Sequence, residues 1–370
     1  MAGTNPLGLF IEPLIVISLL TGGVYFNRRP QERGHTPLLP SSPVKPASSL
    51  AAANASPASF SNDEERAPNP LRLSPLDTSR YASSWISRLV YKYPFILEVL
   101  YWALTYWVYQ IARAISAVLF IDAGTIDTAR AHGIQLIEFE RKFGFQWENA
   151  IQEYIMNRSW AITALNRIYS FIHIPATILF LSYFYHTQPT RVYAPTRRTL
   201  ALANLLAFVV FTLWPAMPPR LLPASYGFVD TVHAGNMSSV WTTNRFCNQY
   251  AAMPSLHFGY SFLVGWSLFA HAPRTTFRRY GLHTLFLLYP ATILLAIVAT
   301  ANHYIIDAVA GFFLAILALN ANNVLLALLP LENRVFYLLH LHKPAPAGGS
   351  VSAIEWKGEE VLPRFVERNA

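Results

Sequence analysis

Long apolar runs alternate along this chain with short polar segments that carry arginine, and the pattern predicts a bundle of membrane-crossing helices. A first apolar run from Leu9 to Phe26 carries Glu12 and is followed by Arg28, Arg29 and Arg33. It lacks a basic region before it, so it reads as a retained helix and not as a cleavable signal. From Asn27 to about Tyr93 the chain is rich in Pro and Ser without a sustained apolar period, which is the pattern of a disordered linker. A second span is expected from Pro94 to Ile121, with Tyr101, Trp102, Tyr106, Trp107 and Tyr109 along it. Residues 122–160 are amphipathic. Ile134, Ile137, Phe139, Phe143, Trp147, Ile151 and Ile155 supply the apolar positions, and Glu138, Glu140, Arg141 and Lys142 read as a solvated face. Two helices lying on the membrane surface, broken near Gly144, fit this stretch. Further spans are expected over 161–185, 199–214, 255–271 and 282–300, with a last one from just after His303 to about Leu329. The resulting division is an N-terminal transmembrane helix (1–26), a linker (27–93), a helical membrane domain (94–330) and a cytosolic tail (331–370).

Composition agrees with the pattern: of 370 residues 53% are hydrophobic and only 13% charged. The net charge of +8 does not point to nucleic acid, because the arginines sit in short loops between apolar runs. The loops 186–198 and 272–281 each carry three Arg and no acid, which assigns them to the cytosol together with the linker and the tail. Segments 122–160, 215–254 and 300–303 then fall on the lumenal or exterior side. The sequons at Asn157 and Asn236 share that side, whereas the one at Asn54 does not. A single cysteine, Cys247, excludes an intrachain disulfide and a Cys-based metal cluster.

Polar residues that are costly beside hydrocarbon collect at one end of these spans. His303 and Asp307, four apart, share a helix face, and by themselves they suit a structural contact as well as a catalytic one. His257 precedes His303 by 46 residues, enough to cross the bilayer and return at about 20 residues per crossing. Arg220 lies in the loop on the same side. These types suit phosphoryl transfer: an imidazole nucleophile (His303) oriented by a carboxylate (Asp307), and a second imidazole (His257) as general acid and base. Ser255, after Pro254 at a helix start, and Arg220 would bind phosphate. Neither a cofactor nor a metal is called for. His173 is a lone histidine in an apolar helix, which more often packs than reacts.

Met253-Pro254-Ser255-Leu256-His257, Asn302-His303-Tyr304-Ile305-Ile306-Asp307 and Pro218-Pro219-Arg220-Leu221-Leu222-Pro223 resemble the motifs of the type 2 phosphatidic acid phosphatase superfamily. The likeness is strongest to its fungal inositol phosphorylceramide synthase-like branch and covers roughly residues 95–330. It implies an all-α, six-helix lipid-phosphatase-like core plus the extra N-terminal helix. It further implies a membrane enzyme of lipid or sphingolipid metabolism, with a lumenal site in the Golgi or another endomembrane. The substrates implied are a phospholipid donor and a lipid hydroxyl such as that of ceramide, with inositol phosphate transferred, or water as acceptor in a phosphatase. The resemblance also raises the interest of His173, since a His-x-Pro occurs in this helix of that branch. Two family cations are absent: Leu213 stands at the Lys of the first motif, and Ile297 at the Arg of the third. Arg245, or Asn302 and Thr300 as neutral donors, are candidate replacements, and fewer cations would suit a singly charged diester. A transporter and a non-catalytic scaffold of the same fold are the other classes to weigh. No internal repeat supports the transporter, and the missing cations sustain the scaffold. No segment identifies a regulatory subunit.

Overall fold

A computed structural model describes residues 6–29, 77–120, 123–232, 250–272 and 276–343. In chain order the α-helices are α1 (Pro6–Phe26), α2 (Trp85–Lys92), α3 (Phe95–Phe120), α4 (Ala123–Phe143), α5 (Glu148–Met156) and α6 (Ser159–Arg167). They continue with α7 (His173–Thr187), α8 (Thr190–Leu213), α9 (Leu256–Ala270), α10 (Thr276–Ala299), α11 (Ile305–Ala321) and α12 (Leu329–Leu338). A π turn, Ile168–Ile172, joins α6 to α7 in one continuous rod. The protein is an all-α membrane bundle, as the apolar pattern predicts. By length and composition, four stretches among the described residues can cross a membrane: Phe95–Ala112, Ser159–Thr187, Thr190–Leu213 and Ile305–Leu338. Phe10–Phe26, Leu256–Ala270 and His283–Ala299 are shorter apolar helices.

Three boundaries differ from the sequence reading. The expected linker ends early, because Ser79–Tyr81 forms a 3₁₀ turn and α2 follows it, with Val90 buried against Leu97 and Phe336. Most of the expected loop 186–198 is helical, because α8 starts at Thr190 directly after Pro189 and carries Pro195 in its second turn. Beyond Ala321 the chain passes through a 3₁₀ turn, Asn322–Leu328, into α12, whose Phe336 packs with Val90 and Leu97. Leu329 therefore lies within a continuing helical segment.

The core is assembled where α9 packs against α8, α10 and α11. The approach of α9 to α11 is close because both carry glycine at the crossing. A Cβ on Gly311 would lie 2.4 Å from the Ser255 carbonyl oxygen, and one on Gly259 would lie 3.1 Å from that of Gly311. Small residues at such crossings let backbones meet and gain dispersion contacts in lipid. At the end of the bundle away from the site, Arg197 on α8 pairs with Glu98 on α3 at 2.6 Å, and Tyr193 donates to the same carboxylate. Helix α1 is attached through Asn27, whose amide reaches the Ser182 hydroxyl on α7 at 3.1 Å.

Helices α4 and α5 are separated at Gly144, which takes a left-handed φ of 76°, where the sequence predicts the break. Their faces are assigned differently, however. Phe139, Phe143 and Trp147 point outward, whereas Glu140 and Glu148 are fully buried. Outward aromatic rings are what a helix at a bilayer interface presents.

Candidate active site

Three helix ends meet at the site: the C-terminus of α10 and the N-termini of α9 and α11. The chain leaves α10 through Thr300 and turns at Ala301, a buried residue at φ 53°. This left-handed residue reverses the backbone, so that Asn302 and His303 both donate their N–H groups to the Ile297 carbonyl, at 3.0 and 3.2 Å. His303 is thereby presented immediately before α11, and only 5% of its surface is exposed.

Two acceptors lie near the same ring nitrogen of His303. Nδ1 is 2.7 Å from the Ala252 carbonyl oxygen and 3.4 Å from Asp307 Oδ2. A carbonyl can only accept, so Nδ1 carries the proton and the lone pair resides on Nε2. The sequence reading gave this orienting task to Asp307 alone. Here the closer partner is a backbone oxygen, which carries no side-chain signal in the sequence. Ala252 is itself held by an isolated parallel bridge, donating to Ala216 at 3.1 Å while Ala216 donates to Tyr250 at 2.8 Å. Asp307 also accepts the Tyr304 N–H at 3.0 Å and so caps its own helix.

A row of imidazoles extends from His303. The His257 ring centroid is 5.7 Å from that of His303, and His173 is 5.2 Å beyond His257. The ring of Tyr169, inside the π turn, lies 4.5 Å from that of His257. The Tyr289 hydroxyl is 3.2 Å from His173 Nδ1. His173 therefore belongs to the cluster, although its sequence surroundings suggest packing first.

Ser255 is the N-cap of α9, its hydroxyl accepting the Phe258 N–H at 3.4 Å, and its own N–H donates to the Asp307 carbonyl at 2.9 Å. Arg220 reaches the same corner. Its backbone N–H donates to Ala301, and its Nε donates to Asn302 Oδ1 at 2.8 Å. Asn302 in turn donates to the Thr300 hydroxyl at 2.8 Å. A second partner of Arg220 was not singled out in the sequence: Asp230, whose Oδ2 lies 3.2 Å from an Arg220 terminal nitrogen. Of the residues named from sequence, Arg245 lies outside the described residues, and the structure brings the others to one end of the bundle.

The two positions lacking the family cations have different surroundings. Leu213 is 78% exposed at the end of α8. Ile297 is fully buried in an apolar cluster with Ile293, Val298 and Ala308, so its position is filled by packing.

Two further carboxylates support the site. Glu148 accepts the N–H of Ile305 at 2.9 Å, and Glu140 accepts that of Ile306 at 2.8 Å. With Asp307 they satisfy three successive amides at the start of α11, where free N–H groups and the helix dipole favour negative charge. Burial, with the Glu148 carboxyl beside it, pushes the Glu140 carboxyl well above the usual carboxylate range. The signal for Glu140 is its spacing: Ala129, Gly133, Leu136, Ile137 and Glu140 recur every three or four residues on the buried face. No group of three or more His, Cys, Asp or Glu placed to hold a metal ion occurs among the described residues.

A family model described as the PAP2 superfamily matches residues 134–321, half of the 370-residue chain, and includes each cluster described above. No curated protein and no solved structure matches the chain. On the family match, the chain belongs to the PAP2 superfamily, as a membrane protein with a lipid phosphatase or phosphotransferase type of activity.

Proposed function

We propose that the protein is a lipid phosphotransferase that works through a phosphohistidine at His303, with inositol phosphate moved from a phospholipid to the hydroxyl of a lipid such as ceramide. The observation that carries this reading is the fixed tautomer of His303. With Nδ1–H engaged by Ala252 and Asp307, Nε2 attacks phosphorus and the P–O bond to the diacylglycerol breaks. His257 delivers a proton to the leaving oxygen. The phosphorylated imidazole is cationic, and the Ala252 carbonyl and Asp307 carboxylate stabilise it. In the second half the acceptor hydroxyl attacks phosphorus, His257 takes its proton, and the P–N bond breaks. Arg220 and Ser255 bind the phosphate oxygens, with Asn302 and Thr300 holding the guanidinium in place.

The apolar packing of Ile297 supports a donor with a single negative charge, since a diester requires less cationic compensation than a monoester. The arginine-bearing loops support a site facing the lumen of an endomembrane. Hydrolysis of a lipid phosphate is the second reading, favoured by the family match, and it shares the first step with water as acceptor.

Labelled donor lipids, supplied with and without ceramide to purified protein, test both the nucleophile and the acceptor. A phosphohistidine adduct is expected on the wild type and on His257→Ala, where turnover stalls, and not on His303→Ala. Labelled headgroup should appear on ceramide. Free phosphate released faster from phosphatidic acid than headgroup is transferred would favour the hydrolytic reading, and absence of any adduct would sink both.

A further inference from the structure

Arg220 does not meet an incoming phosphate as a bare cation. Its Nε is committed to Asn302 and one terminal nitrogen to Asp230, and the Arg220 side chain is only 9% exposed. Asp230 sits in a loop held with unusual care for a single acidic residue. Immediately before it, Val229 exchanges two hydrogen bonds with the Gln152 amide of α5: Gln152 Nε2 donates to the Val229 carbonyl at 2.9 Å and Oε1 accepts its N–H at 3.0 Å. Immediately after it, Thr231 exchanges two with Asn166 of α6, at 3.0 and 3.1 Å. The second Asp230 oxygen accepts the Val232 N–H at 3.2 Å. Two side-chain amides from two helices thus fix the backbone on either side of one carboxylate and aim it at the guanidinium.

We infer that Asp230 is the specificity-determining residue of the phosphate pocket, setting its charge so that a phosphodiester is accepted and a phosphomonoester is disfavoured. The inference rests on the phosphotransferase reading above. Near neutral pH a monoester approaches two negative charges and a diester carries one. A carboxylate paired with Arg220 offsets the attraction of the guanidinium for both, but it repels the second charge of the monoester in addition. Exposure of the Asp230 side chain is 27%, so solvent weakens this repulsion without removing it.

The test compares headgroup transfer from phosphatidylinositol with phosphate release from phosphatidic acid in full-length protein. For Asp230→Asn, which keeps an oxygen facing Arg220, the ratio of monoester to diester rates should rise about tenfold or more. Asp230→Glu, which keeps the charge, should retain the wild-type preference. An unchanged ratio in Asp230→Asn, or an equal loss of both rates, overturns the inference and makes Asp230 a structural pin for Arg220. Should the neutral variant not fold, competition on the wild type decides. Dimethyl phosphate, a monoanion, should inhibit the diester reaction better than inorganic phosphate at about pH 8, where the latter is mostly dianionic, and the reverse order overturns the inference. A wild type that forms no adduct with either lipid removes the proposed function and this inference together, whereas an adduct with unchanged ratios removes the inference alone.

Discussion

Glu140, on α4, accepts the backbone N–H of Ile306 at 2.8 Å, three residues beyond His303. Glu148 does the same for Ile305. Helices α4 and α5 thus hold the start of α11 by its own amides, and the position of His303 depends on residues more than 150 positions earlier in the chain.

Removing either glutamate should therefore cost both stability and activity. Glu140→Ala leaves the Ile306 N–H buried and unpaired, a loss of about 1–3 kcal/mol, and the midpoint of thermal unfolding in detergent should fall by several degrees. Glu140→Gln keeps an accepting oxygen and should restore most of the loss. Equal damage from Gln and Ala would show that charge, and not the hydrogen bond, is what matters.

The raised proton affinity of Glu140 gives stability a definite pH dependence. Once pH exceeds the ordinary glutamate range, the unfolded chain has released this proton and the folded chain still holds it. Folding then takes up a proton, so stability declines as pH rises, until Glu140 ionises in the folded state as well. Denaturation midpoints measured across this range should fall in the wild type and fall less steeply in Glu140→Gln.

At the crossing of α9 and α11, Gly311→Ala places a methyl 2.4 Å from the Ser255 carbonyl oxygen. Because the obstacle is backbone, the helices must separate, at about 1–3 kcal/mol. Gly259→Ala, with its nearest atom at 3.1 Å, should be milder. The separation also moves Ser255 relative to Asp307, so KM for the lipid donor should rise in Gly311→Ala more than in Gly259→Ala.

Tyr289→Phe removes the hydroxyl that meets His173 Nδ1 and leaves the ring in place. If the imidazole row keeps His257 in its working orientation, kcat should drop about fivefold, the equivalent of one ordinary hydrogen bond, with little change in KM. No change in kcat would limit His173 to packing.

That His303, Asp307, His257, Ser255 and Arg220 meet at one end of the bundle is legible in the sequence, because they sit in compact motifs at span ends. Hydrocarbon makes such residues expensive, so their presence is informative. What was not legible came through the backbone or through loops. The Ala252 carbonyl has no residue type to announce it. Asp230 is one acid in a long polar loop, distinguished only by structure, through its pairing with Arg220 and the amides that hold its neighbours. From sequence Glu140 reads as solvated because it neighbours Glu138 and Arg141, although its helical phase matches the buried Ala129, Leu136 and Ile137. On α4, outward aromatics and an inward acid invert the usual amphipathic rule.

The π turn at Ile168–Ile172 has a consequence for how this rod divides its labour. One extra residue in a turn offsets the azimuth of everything before it by about 100° relative to an unbroken α-helix. Asn166 lies before the offset and points to Thr231; His173 lies after it and faces His257. Deleting a single residue from the turn would rotate Asn166 away from the Asp230 loop and would also disturb Tyr169, which packs on His257 from inside the turn. The rod thus aims its two halves at different partners, the Asp230 loop from Asn166 and His257 from His173.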